Sequence, residues 1–231
     1  MERVVKLLRT PVLVVNYKIY DVSYGQKALE LTKVLEKIAG EHDVEIAAAV
    51  TLPDIRLIAP NTKIPVLSQH ADAIEFGSHT GFTHLENIKD AGAMGTLINH
   101  SEHRLKLADI EFLVEKCRKL GLVSIVCTNN VATSCAAAAL EPDFVAVEPP
   151  ELIGGDIAVS TARPEVISGT VEKVKRVSSR VKVLCGAGVK TGKDVAKAIE
   201  LGSEGILLAS GIVKAKDWEK ATRDIVSGML R

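Results

Sequence analysis

No two cysteines of this chain stand close enough in sequence to form a Cys-x-x-Cys unit; the four are Cys117, Cys127, Cys135 and Cys185. That spacing argues against a structural zinc site, so no metal is expected. The cysteines read as reduced thiols packed in a core, which suits a cytoplasmic protein. Neither charge is in excess, since Lys plus Arg and Asp plus Glu both number 29. A balanced chain is not expected to bind nucleic acid or a membrane surface, although it can hold a local positive site for a small anion. No Pro/Ser-rich linker, charge block or low-complexity tract divides the sequence. No apolar run approaches the ~20 residues of a membrane helix. The opening MERVVKLLRTP has no long apolar core and no small-residue cleavage site, so it is not read as a signal peptide.

What the sequence does have is a recurring short apolar run. VLVVNY (12–17), VEIAAAV (44–50), IPVLSQH (64–70), GTLIN (95–99), LVSIVC (122–127), DFVAVE (143–148), VKVLCG (181–186) and GILLAS (205–210) are mostly too short for helices. They are apolar at consecutive positions, as buried parallel strands are. Helical periods lie between them. Ala28, Leu31, Leu35 and Ile38 share one face, with Ser23 and Gln26 as a capping box before it and Gly40 as the stop. Ile110, Leu113, Val114 and Cys117 form a stripe ended by Gly121. Pro164 suits a first helical position, followed by Ile167, Val171 and Val174. Thr191 and Asp217 are placed to cap the last two long helices, whose inner residues include Val195, Ala198 and Ile199, then Ala221, Ile225 and Met229. Segments 53–59, 84–91 and 131–139 are shorter helix candidates, and a helical turn is expected at 102–107.

Eight strand–helix units in 231 residues predict a single α/β domain over residues 1–231, a (β/α)8 TIM barrel. The alternative, an open doubly wound sheet that binds a nucleotide, calls for a glycine-rich turn after the first strand. Here that turn reads Asn16-Tyr17-Lys18-Ile19-Tyr20.

In a barrel of this kind the C-terminal ends of the strands carry the chemistry. Those ends hold Asn16 and Lys18, then Asn99-His100-Ser101-Glu102-His103, then Glu148, then Gly186-Ala187-Gly188, and finally Ala209-Ser210-Gly211. Two small-residue turns let backbone N–H groups approach an anion, and a following helix adds its positive end, so phosphate is the natural guest. Lys18 adds a full charge. Glu148, flanked by Val147, Pro149 and Pro150, sits among neighbours that favour a raised carboxylate pKa. His100 can donate to a carbonyl oxygen. Base, electrophile and phosphate anchor together describe proton abstraction beside a carbonyl. Taken singly, Lys18 reads as a solvated charge, His100 as a structural histidine and the glycine turns as packing devices. Glu102 reads as a supporting residue, and His42, His70, His79, His84 and His103 as structural ones. The joint occurrence at four strand ends is what points to a site.

Asn16-Tyr17-Lys18, Asn99-His100-Ser101-Glu102, VEPPELIG (147–154), GAGV (186–189) and LLAS (207–210) closely resemble the motifs of triosephosphate isomerase, in its archaeal form, over essentially the whole chain. The resemblance implies isomerisation of a triose phosphate without a cofactor. It makes Glu148 the base, His100 the electrophile and Lys18 the electrostatic anchor, with Asn16 positioning the substrate. Ile153 and Gly154 in a closing lid, with Gly188, Ala209 and Ser210, would contact the phosphate. It also implies a homo-oligomer, dimer or tetramer, in which the loop 71–83 carries Thr80 toward Asn16 or Glu102 of the partner subunit. Two positions depart from the family pattern: Gly154-Gly155-Asp156 stands where relatives usually have Gly-Thr-Gly, and Gly188 where many have serine. The phosphate turns alone would also fit an indole- or ribose-phosphate barrel or a non-catalytic sugar-phosphate binder. Neither accounts for Asn16, Lys18, His100 and Glu148 together.

Overall fold

All eight apolar runs form strands in the computed structural model, which describes residues 8–149, 160 and 163–230. The strands are β1 (Val12–Asn16), β2 (Glu45–Val50), β3 (Val66–Ser68), β4 (Gly95–Ile98), β5 (Val123–Thr128), β6 (Phe144–Val147), β7 (Lys182–Cys185) and β8 (Gly205–Leu208). They are parallel, pair in sequence order and close when β8 pairs with β1, so the sheet is a barrel and not an open doubly wound one. The helices around it are α1 (Gly25–His42), α2 (Leu52–Ile58), α3 (Leu85–Asp90), α4 (Leu107–Leu120), α5 (Val131–Ala138), α6 (Pro164–Val177), α7 (Gly192–Glu200), α8 (Ser210–Val213) and α9 (Trp218–Ser227).

Because side chains alternate along a strand, each strand feeds two cores. Val12, Val14, Ala47, Ala49, Leu67, Leu97, Ile125, Phe144, Ala146, Leu184 and Leu207 fill the barrel interior. Leu13, Val15, Ala48, Val50, Ile98, Val126, Val145 and Ile206 point outward and pack under the helices. This two-sided burial is why the strands read as unbroken apolar runs. At ~1.5–3 kcal/mol for each fully buried large aliphatic side chain, the two cores dominate stability.

The capping expectations hold at four ends. Gly121 closes α4 in the left-handed conformation at φ +70°. Pro164 opens α6. The Thr191 hydroxyl accepts from Asp194 N–H, and the Asp217 carboxylate from Lys220 N–H. Two expectations for α1 fail. Ser23 does not cap it; its hydroxyl is spent on the Tyr20 backbone, and the first N–H of α1 donates instead to Asp54 Oδ1 of α2 at 2.9 Å. Gly40 does not stop it either. The helix runs on to His42, and Asp43 takes the left-handed turn at φ +50°. A glycine inside a helix costs about 1 kcal/mol, and the buried Ile38 and Ala39 beside it offset that. Nor is there a helical turn over 102–107, since only a tight turn from His100 to His103 precedes α4. Met229 is buried, but just beyond the end of α9. Cys117, Cys127 and Cys185 are buried free thiols, while Cys135 is only half-buried.

Candidate active site

Alternation along the strands also builds the mouth of the barrel. The inward parity of β1 (Val12, Val14) continues to Asn16, that of β5 (Val123, Ile125) to Cys127, that of β6 (Phe144, Ala146) to Glu148, and that of β7 (Leu184) to Gly186. Asn16 and Glu148 are buried there. A single cleft is lined by Asn16, Lys18, Tyr20, His100, Glu148, Ala187, Gly188, Val189, Leu207, Leu208, Ala209 and Ser210. It brings together every sequence-predicted site residue within the described region. Ile153, Gly154 and the rest of the lid segment lie outside the described residues.

Lys18 holds a left-handed backbone at φ +50°, unfavourable for a lysine and fixed from both sides. Asn16 Oδ1 accepts its N–H at 3.0 Å, and Gln69 Nε2 donates to its carbonyl at 3.1 Å. Its ammonium, on a side chain only 14% exposed, meets Glu102 Oε1 at 2.9 Å. Glu102 is 61% exposed, so the pair is worth only ~0–1 kcal/mol and Lys18 can leave it cheaply for an incoming anion.

His100 is buried, and its Nδ1 accepts the Glu102 backbone N–H at 3.2 Å. With Nδ1 acting as acceptor, the one proton of the neutral ring belongs on Nε2, which faces the cleft. Burial, then the Lys18 charge, push its pKa down to about 4. Neutrality therefore comes from desolvation and a neighbouring cation, and not from a helix at 102–107.

Glu148 Oε2 is buried and accepts no hydrogen bond. It lies 3.7 Å from His100 Nε2, too far for a hydrogen bond. Desolvation raises the carboxyl to about 7 against the opposing pull of Lys18. A carboxylate half-ionised near neutrality and short of partners is a competent base.

The opposite wall consists of the two turns. Ala187 and Gly188 both have positive φ, +68° and +70°. The second turn leads from β8 into α8, with Ala209 at its N-cap. The turns touch: a Cβ on Gly211 would lie 3.0 Å from the Val189 carbonyl oxygen. The first N–H groups of a helix have no acceptor within it, and they offer partial positive charge to an anion beside Lys18.

Two contributors were not legible as such. Cys127 reads in the sequence as a core thiol, yet burial and the neighbouring Glu148 carboxylate push its pKa well up. Gly186 reads in the sequence as one residue of a small turn, yet a Cβ there would fall 2.3 Å from Glu148 Cγ. Both are contacts between neighbouring strands, and only the barrel register places them: Cys127 pairs with Ala146 and Val147 with Cys185. Among the described residues no three His, Cys, Asp or Glu side chains gather so as to hold a metal ion. No helix among them is long and apolar enough to cross a membrane.

Comparison with known proteins agrees over nearly the whole length. The triosephosphate isomerase family model matches residues 11–227. The triosephosphate isomerase of Methanocaldococcus jannaschii is 55% identical over 214 residues, covering 93% of this chain and 98% of its own. That of Methanothermus fervidus is 54% identical over 95% of this chain and 99% of its own, and that of Archaeoglobus fulgidus 54% identical over 93% and 96%.

Proposed function

This chain belongs to the triosephosphate isomerase family, and we propose that it catalyses the family reaction with Glu148 as base, His100 as electrophile and Lys18 as anchor. The enzyme is an aldose–ketose isomerase that interconverts dihydroxyacetone phosphate and glyceraldehyde 3-phosphate in glycolysis and gluconeogenesis. The observation that carries the assignment of roles is the facing pair at the mouth: an unpartnered buried carboxylate opposite a neutral imidazole.

The phosphate sits against Gly188, Ala209 and Ser210, where backbone N–H groups and the Lys18 ammonium balance its charge. Asn16 keeps Lys18 and the substrate in register. Glu148 takes the proton from the carbon beside the carbonyl, and the electron pair moves into a C–C double bond to give an enediolate. The developing charge on the oxygen is met by the His100 Nε2–H and the Lys18 ammonium. The hydroxyl proton passes from one oxygen of the enediolate to the other, relayed by His100, and Glu148 returns its own proton to the neighbouring carbon, so that hydroxyl and carbonyl exchange places and Glu148 is a carboxylate again. No redox partner, metal or other cofactor enters this sequence of steps. The segment after Glu148, with Pro149 and Pro150 at one end and Gly154 and Gly155 at the other, acts as a lid. Its Ile153 and Gly154 cover the phosphate and exclude water, which protects the enediolate from losing phosphate.

The chain works as one barrel domain over residues 1–231, in the cytoplasm, as a homo-oligomer. The loop 71–83 supports the assembly: Phe76 and Phe82 are 78% and 55% exposed, and Thr80 lies between them. In the oligomer Thr80 sits beside Asn16 or Glu102 of the partner subunit. Light scattering at micromolar concentration should give a dimer or tetramer; a fully active monomer contradicts this. The activity itself is tested by coupling glyceraldehyde 3-phosphate turnover to a reporter reaction. Steady production of dihydroxyacetone phosphate is expected, and binding without turnover would favour a non-catalytic sugar-phosphate barrel.

A further inference from the structure

The inward parity of β4 is set by Leu97, which points into the barrel, while Ile98 points out under the helices. Were the strand to continue extended, Asn99 would face the mouth and His100 would turn away from it. The chain does otherwise. Asn99 adopts the left-handed conformation at φ +61°, and the buried imidazole of His100 arrives opposite Glu148. Each polar group at Asn99 beyond its own N–H holds that turn. Its side-chain Nδ2 donates to the Cys127 carbonyl at the end of β5 at 2.9 Å. Its Oδ1 accepts the Leu105 N–H at 2.9 Å, and its carbonyl accepts from Arg104 Nη1 at 2.9 Å. The β4–β5 register ends at Ile98 opposite Val126, so the carboxamide adds one more tie between the two strands where the backbone ladder stops. The residue it reaches, Cys127, pairs with Ala146 on β6, the strand that leads into Glu148.

We infer that Asn99 is a positioning residue for the isomerisation: its left-handed turn swaps the inward residue of β4, and its carboxamide latches the 99–105 segment to β5, which fixes His100 against Glu148. This rests on the roles proposed above for His100 and Glu148. Asparagine suits both demands. Among residues with a side chain it tolerates the left-handed region well, and its carboxamide sets a donor and a separate acceptor on a short stem, able to reach two partners at once. Glycine would keep the turn and lose the latch. Aspartate would keep the acceptor for Leu105 and set an oxygen against the Cys127 carbonyl.

The test compares full-length wild type, Asn99→Gly, Asn99→Asp and His100→Gln. Readouts are kcat and KM with glyceraldehyde 3-phosphate, protection by inorganic phosphate in thermal melts, and the 15N titration of His100. In Asn99→Gly, kcat should fall by ~10–10², the usual effect of a misplaced catalytic group. KM and phosphate protection should stay within about two-fold, because the phosphate turns lie across the barrel on β7 and β8. The His100 resonances should also move toward those of an ordinary titrating histidine as the Glu102 N–H contact loosens. Asn99→Asp, which retains one of the two side-chain bonds, should lose kcat in the same manner, and it stands in if the glycine variant does not fold. Wild-type kcat in Asn99→Gly, or a loss shared equally by kcat and phosphate protection, overturns the inference. If His100→Gln itself turns over like wild type, the assignment of the electrophile fails instead, and the two failures are thereby told apart.

Discussion

His100 Nε2 and Glu148 Oε2 face each other at 3.7 Å across the barrel mouth, the first holding a proton and the second lacking any donor. Neither can satisfy the other at that distance, and a substrate carbonyl and its neighbouring carbon can satisfy both. Burial drives the two groups in opposite electrostatic directions, keeping the histidine neutral and making the carboxylate basic.

The first consequence concerns stability against pH. Glu148 titrates near 7 in the folded chain and near 4.5 when free, so between those values the native state holds a proton that the unfolded chain gives up. Its contribution to stability is present at low pH and is lost as pH rises through that window. Glu148→Gln has no such group. Its stability relative to wild type should therefore rise from pH 4.5 to pH 7 and level off above, by ~1–3 kcal/mol. Paired urea melts across this range check the slope; a flat difference would mean that Glu148 is not held protonated.

His100 should stay neutral across the working range. Its folded pKa of about 4 lies below the ordinary 6.5, so stability from this group is complete above 6.5 and is lost as pH falls toward 4. In 15N-resolved NMR the ring should show an unprotonated Nδ1 and a protonated Nε2 at neutral pH. A midpoint near 6.5, or the opposite tautomer, would contradict this.

Gly186 should tolerate no side chain without moving the base. A Cβ there would lie 2.3 Å from Glu148 Cγ, so Gly186→Ala must displace the carboxylate or the β7 turn. The φ of Gly186 is not in the left-handed range, so backbone strain is not the issue and the variant should fold. Turnover should drop by ~10–10², the scale of a misplaced catalytic group. Wild-type turnover in Gly186→Ala would show that Glu148 has room to spare.

Lys18→Met keeps the shape of the side chain and removes its charge. Binding and turnover should both suffer, because the same ammonium serves ground and transition states. Inorganic phosphate at 100 times its Kd would stabilise wild type by ~2.7 kcal/mol, and the mutant should gain much less at the same concentration. Equal protection would count against Lys18 as an anion ligand.

Much of this was legible in the sequence because the relevant signals are local. The strands announce themselves by two-sided burial, as in Val12–Val15 and Val145–Val147, and that pattern with helices between allows few architectures. Asn16, Lys18, His100 and Glu148 stand at strand ends, where barrel chemistry gathers. What escaped depends on contacts remote in sequence. Asp54 of α2 usurps the capping place expected of Ser23, 29 residues from the Gly25 it serves. Gly186 and Cys127 acquire their roles only when β5, β6 and β7 lie side by side. Asn99 looks like one letter of a motif until the parity of β4 shows that His100 would otherwise face away.

Catalysis by Glu148 is tested most directly by the turnover of Glu148→Gln in the coupled glyceraldehyde 3-phosphate assay. Glutamine is nearly isosteric with the carboxylate and cannot accept the substrate proton. The variant should fold, retain phosphate protection in thermal melts and lose at least ~10²–10⁴ in kcat, the usual scale for removing a general base. A variant that keeps more than about a tenth of wild-type kcat, set against that scale, would place the base elsewhere, and the mechanism built on Glu148 would fall with it.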